Sequence, residues 1–99
     1  MSQIIEGLNE LFVSDELGES DVVSGLYGVR DILRGNTLVM EQMANNSREQ
    51  ALLGDFYPAV DDAIIDSPDV HDALRIQLLS DPRKARLFAL GVFDLLKNG

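Results

Sequence analysis

The chain has no cysteine, which excludes disulfides and thiolate metal sites at the outset. It has one histidine, His71, so a Ser-His or Cys-His nucleophile system would rest on that residue alone. No apolar run approaches the length that spans a bilayer, and no contact with a membrane is expected. Met1-Ser2-Gln3-Ile4-Ile5-Glu6 has no basic region ahead of its apolar residues, so it does not read as a signal peptide. The cytoplasm is the expected location. Strand-like alternation, low-complexity tracts, linkers and internal repeats are missing too. Gly18, Gly25, Gly28 and Gly35 never take the spacing of a phosphate-cradling loop.

What is present describes a small acidic domain. Ninety-nine residues, 45% hydrophobic and 25% charged, suit a single domain over residues 1–99 with a modest core. Net charge is −9 and unevenly spread. Residues 1–74 hold three basic groups (Arg30, Arg34, Arg48) against fifteen acids. Residues 75–99 reverse the sign, with Arg75, Arg83, Lys84, Arg86 and Lys97 against Asp81 and Asp94. Most of such a surface repels phosphates, because non-specific nucleic-acid affinity comes from Lys and Arg. The acidity serves solubility or docking onto a basic partner.

The hydrophobic period is helical throughout, and predicts an all-α bundle of five to seven short helices with no sheet. Ile4, Ile5, Leu8, Leu11 and Phe12 form a first stripe, interrupted by Gly7. A turn over 13–17 leads to a helix starting near Gly18, with Asp21 in its first turn. Its stripe is Val22, Val23, Leu26, Val29 and Leu33, and Gly35 suits a left-handed C′ position. Asn36 caps the next helix, which carries Leu38, Val39, Gln42 and Met43 on one side and stops at Asn45-Asn46. Ser47 and Gln50 then form a capping box for a short helix from Arg48 to Leu53, closed by Gly54.

Asp55 reads as the next N-cap, with Pro58 tolerated in the first turn and Phe56, Val60, Ala63 and Ile64 facing inward. Asp61, Asp62 and Asp66 lean toward solvent. Ser67-Pro68-Asp69 reads either as a break, with Ser67 as a new N-cap and Pro68 at N1, or as a kink in one long helix, and the break is the preferred expectation. The same stripe resumes through Val70, Ala73, Leu74, Gln77 and Leu78. Asp81-Pro82 starts the last helix, about residues 82–97, with Ala85, Phe88, Ala89, Val92 and Leu96 as its core face.

Little here carries chemistry. His71 reads as a partly exposed histidine near carboxylates rather than a ligand or base. Asp61-Asp62-Ala63-Ile64-Ile65-Asp66 superficially resembles the paired-Asp magnesium–diphosphate motif of isoprenoid synthases. The second acidic motif and large cavity those enzymes need are missing, so the acids read as a polar helix face. Met40, Met43, Tyr27 and Tyr57 read as packing. Arg83, Lys84 and Arg86 open the last helix and read either as a solvated face pairing with neighbouring acids or as candidate partner contacts, for an acidic protein surface before nucleic acid. Cations there oppose the helix macrodipole, so an anionic partner would offset a local cost. No aromatic stacking platform accompanies them, and no direct nucleic-acid binding is expected.

One order of motifs points further. Leu8-Asn9-Glu10-Leu11-Phe12, then Leu17-Gly18-Glu19-Ser20-Asp21, then Ala44-Asn45-Asn46-Ser47-Arg48-Glu49-Gln50 lead into Asp55-Phe56, Ala63-Ile64-Ile65-Asp66 and His71. In that order they resemble the C-terminal helical domain of the R (motor and endonuclease) subunit of type I restriction–modification enzymes. The resemblance covers most of residues 8–80. In that family an Asn-Asn-[Thr/Ser]-Lys-Glu-Gln segment precedes an Asp-Phe or Asp-Leu helix start. This chain departs from it with Ser67-Pro68 in place of Ala-Leu, Val70 before His71, and Gly18 where Thr would cap. The final helix, with Phe88 and Phe93, is similar only in being helical.

The resemblance implies an assembly domain that packs on the DNA-translocating motor domains of its own subunit and helps join them to the methyltransferase core. The parent subunit is an ATP-dependent translocase and endonuclease. ATP and magnesium belong to its other domains, since this chain has no nuclease carboxylates with their lysine, no nucleotide loop and no helicase motifs. No catalytic, cofactor or metal residue is therefore expected in these 99 residues. The alternative from composition alone is a stand-alone acidic interaction module, or a DNA mimic that inhibits a DNA-binding enzyme.

Overall fold

The computed structural model describes Gly7, residues 10–12 and residues 14–98. The expected stripe positions Ile4, Ile5 and Leu8 lie outside the described residues. Gly7 and residues 10–12 are helical. Six helices with defined bounds follow: α1 Glu19–Arg34, α2 Thr37–Asn45, α3 Arg48–Leu53, α4 Phe56–Asp66, α5 Asp72–Ser80 and α6 Pro82–Asn98. Among the described residues there is no strand. The all-α bundle is thus the observed architecture. Its radius of gyration, 12.3 Å, matches the roughly 13 Å of a folded chain of this length.

Each junction has a local cause. In the turn before α1, the N–H of Ser14 donates to the Leu17 carbonyl at 2.9 Å, leaving Asp15 and Glu16 exposed and Leu17 buried. The Gly18 N–H donates to the Asp21 carboxylate at 3.1 Å, which opens α1. Asn36 caps α2 by accepting from the Val39 N–H at 3.2 Å. The Ser47–Gln50 box closes in both directions, at 3.4 Å and 3.2 Å. Asp81 accepts from the Arg83 N–H at 3.0 Å and starts α6.

One core cluster joins the helices, with Phe12, Phe56 and Phe88 among its largest fully buried side chains. Phe12 meets Phe88 edge-on at 6.5 Å, and Phe56 meets Phe93 likewise at 5.7 Å. The expected stripes of α4 and α6 are buried at every position, and in α1 only Val23 is partly exposed. The longest helices, α1 and α6, share the most extensive contact.

Four expectations need correction. Gly35 is right-handed (φ −79°, ψ −4°), because its N–H donates to the Ile32 carbonyl three residues back and α1 ends in a tightened turn. Leu38 is 71% exposed and Leu11 47% exposed. α2 buries only Val39 and Met43, too narrow a stripe to include a residue about 100° away around the helix. Asp55 does not cap with its side chain; its carboxylate instead accepts from Gln42 Nε2 at 3.0 Å and ties the start of α4 to α2.

At Ser67 the local geometry also differs from the expected one. The break exists, but Ser67 ends α4 rather than starting a helix, and its Oγ accepts from the Asp69 N–H at 3.2 Å. Pro68 takes the second position of a turn whose Val70 N–H donates to the Ser67 carbonyl at 3.4 Å. The next helix waits until Asp72, capped by His71, whose Nδ1 accepts from the Ala73 N–H at 3.1 Å. Pro68 has no N–H to offer the Ile64 carbonyl four residues back. Arg75 supplies the missing donor: Nε reaches the Ile64 carbonyl at 3.1 Å and Nη2 the Ser67 carbonyl at 2.6 Å. Its Nη1 pairs with Asp72 at 2.8 Å.

This turn lies directly on the backbone of α1. A Cβ on Gly28 would sit 2.7 Å from both Asp69 Cβ and Ser67 Oγ, and one on Gly25 would sit 2.8 Å from Leu74 Cδ2. Only glycine allows that approach. Gly28→Ala sets an overpacking cost of about 1–3 kcal/mol against a helix-propensity gain of about 1 kcal/mol, for a net loss of order 1 kcal/mol. Gly25→Ala loses less, because it displaces the end of a side chain rather than a turn; urea unfolding midpoints for the two variants test the order. Arg75→Met is expected to cost about 2 kcal/mol by orphaning two carbonyls, measured the same way.

Candidate functional site

The three candidate contacts at the start of α6 share a helical turn but not a surface. Arg83 and Arg86 are exposed. Lys84 is half-buried: its Nζ donates to Gln77 Oε1 at 3.1 Å and lies 5.5 Å from the centre of the Phe12 ring. Its charge is thus spent holding α5, α6 and the first helical segment together. Among the described residues, neither Arg83 nor Arg86 comes within 4.0 Å of a carboxylate.

Two apolar grooves flank this turn. One, about 290 Å³, is lined by Glu49, Leu52, Leu53 and Arg86, between α3 and α6. The other, about 300 Å³, is lined by Leu11, Asp81, Arg83, Lys84 and Leu87. Among the described residues Leu53 is the most exposed large hydrophobic side chain, at 88%. Sequence reasoning missed these leucines. On α3, Glu49, Leu52 and Leu53 stand at i, i+3 and i+4, which puts them on one side of the helix. That spacing was the available signal.

The capping-box segment positions the first groove. Ser47 and Gln50 fix where α3 starts, Ala51 buries inward, and Arg48 reaches Asp94 of α6 at 3.3 Å. Tyr57 joins α4 to the same region by donating its hydroxyl to the Pro82 carbonyl at 3.2 Å. Burial raises the Tyr57 pKa, the Asp61 carboxylate raises it further, and Arg86 opposes both.

Elsewhere the residues do structural work. His71 uses Nδ1 as a helix cap. Tyr27 is stacked under the Arg30 guanidinium at 4.5 Å. Asp62 and Asp66 are exposed on α4, and Asp61 is half-buried. Among the described residues, no group of three or more His, Asp or Glu side chains is placed to hold a metal ion. No helix among them is long and apolar enough to cross a membrane. Compared with protein-family models, curated proteins and solved structures, the chain matches none.

Asp61 has its pKa raised, first by burial and then by the neighbouring Asp62 charge. A raised folded-state pKa means that ionising Asp61 disfavours the fold. The penalty grows as pH rises from the ordinary value of 3.8 through the folded value, and is complete above it. Asp61→Asn is therefore expected to raise Tm at pH 7 and to lose that advantage below pH 3.8, as read by thermal melts across pH.

Proposed function

We propose that this chain is a non-catalytic assembly module that docks a protein partner through the start of α6. The observation that carries the reading is the pairing of Arg83 and Arg86, which among the described residues form no ion pair, with exposed leucines, on a chain whose net charge is −9. Guanidiniums flanked by apolar surface suit carboxylates on a protein, where bidentate pairing adds geometry to charge. A phosphodiester backbone would gain nothing from the leucines and would meet repulsion from the acidic remainder.

The motif order assigns the module more narrowly, as the C-terminal domain of a type I restriction R subunit, acting in the cytoplasm on the motor domains and the methyltransferase core. The capping box supports this reading by giving its central motif a physical job: it sets α3 against α6 and so builds one wall of the docking surface. ATP, magnesium and DNA cleavage stay with the other domains of the parent subunit.

The test is a pull-down of the purified chain with the motor domains and methyltransferase core of a type I system from the same genome. Binding is expected, with strong loss for Arg83→Glu/Arg86→Glu and no ATP or DNA turnover. Competition with DNA for unrelated DNA-binding enzymes would overturn the assembly reading in favour of a DNA mimic. Turnover by the isolated chain would overturn it in favour of an enzyme. Nuclease and helicase motifs in frame upstream in the gene are expected if the parentage holds.

A further inference from the structure

We infer that the start of α6 receives an acidic amphipathic helix, which sets apolar side chains into the two flanking grooves and carboxylates over Arg83 and Arg86. The inference rests on the docking reading and names the chemistry of the partner. Each groove, at about 290 Å³ and 300 Å³, lies at the lower limit of small-molecule pockets and is partly open to solvent. Such a groove suits the side chains of an inserted helix better than a free ligand.

The two grooves lie on either side of one helical turn. Leu53 and Leu52 line one, Leu87 and Leu11 the other, with Arg86 and Arg83 beside them. Arg83 and Arg86 stand at i and i+3, so their side chains rise from one side of α6 and fit carboxylates one turn apart on a partner helix. Glu49 lines the α3 groove with Arg86, so an acid is disfavoured beside it. That asymmetry selects a direction: leucine toward Glu49, carboxylate toward Arg86.

Among the described residues, no ion pair inside the fold uses Arg83 or Arg86. Lys84, the neighbouring cation, is committed to Gln77, and Asp81 spends its carboxylate on the Arg83 N–H. Two cations in the first turns of a helix oppose its dipole, and an anionic partner removes that cost. The attraction is screened by salt, with a Debye length of about 10 Å at 0.1 M.

A labelled synthetic helix with leucines at i, i+3, i+4 and i+7 and glutamates on the flanking positions is the probe, followed by fluorescence anisotropy and amide NMR. Binding is expected, with shifts centred on Leu53, Arg86 and Leu87, and weakening as salt rises. Arg83→Glu/Arg86→Glu should weaken it about tenfold. Leu53→Ala should also weaken it; that side chain is exposed and alanine keeps the helix propensity of α3, so unchanged amide shifts outside the groove are expected in the free variant.

Equal binding of the same helix with lysines for glutamates overturns the assignment, as does tighter binding of a DNA duplex. Shifts mapping elsewhere, or self-association of the chain covering Arg83 and Leu53, overturn it too. If the synthetic helix fails while the protein partner still binds in an Arg83- and Arg86-dependent way, only the helix assignment falls. If both fail, the docking reading falls with it.

Discussion

Pro68 removes one N–H, and much of the bundle is arranged around that loss. Without a donor from residue 68, the carbonyl of the buried Ile64 at the end of α4 would be left without its helical partner. Arg75 fills the vacancy from the next helix and at the same time holds the Ser67 carbonyl. A single side chain thus fixes the angle between α4 and α5. The turn it secures presses Val70 into the core and sits on α1 at Gly28. Three helices meet there with no space for a methyl group.

That junction also shows where sequence reasoning stops. Serine before proline is a sound local signal for a helix start, and by local rules Ser67 should have capped one. The group that decides the outcome lies eight residues further on, at Arg75, and its reach depends on how two helices cross. Gly25 is a different case. It falls at i+3 from Val22, inside the buried stripe of α1, so the spacing held the information. A glycine scored for its lack of side chain is easily passed over as a contact.

Long helices were legible because their period repeats enough times to leave one solution. The α6 stripe of Ala85, Phe88, Ala89, Val92 and Leu96 is buried throughout. Short helices give too few repeats, which is why the nine residues of α2 leave the side of Leu38 undecided. At the candidate site, sequence pointed to the basic residues at the start of α6 through their clustering and their conflict with the helix dipole. It could not separate Lys84, turned inward to Gln77, from Arg83 and Arg86, since that sorting depends on where α5 lies. The spacing of Leu52 and Leu53 on α3 is legible in the sequence, but that they stand beside Arg86 is not, since that depends on how α3 lies against α6.

α3 has six residues, about half the length at which an isolated helix persists in water. It survives through its cap, one buried alanine and a half-exposed pair between Arg48 and Asp94. In hydrogen-exchange terms it belongs among the first segments to open, well below the global unfolding free energy set by α1 and α6. One wall of the α3–α6 groove is therefore a local folding equilibrium of its own. Whatever occupies that groove binds only the closed form, so occupancy and the protection of the amides of Ala51 and Gly54 must rise together.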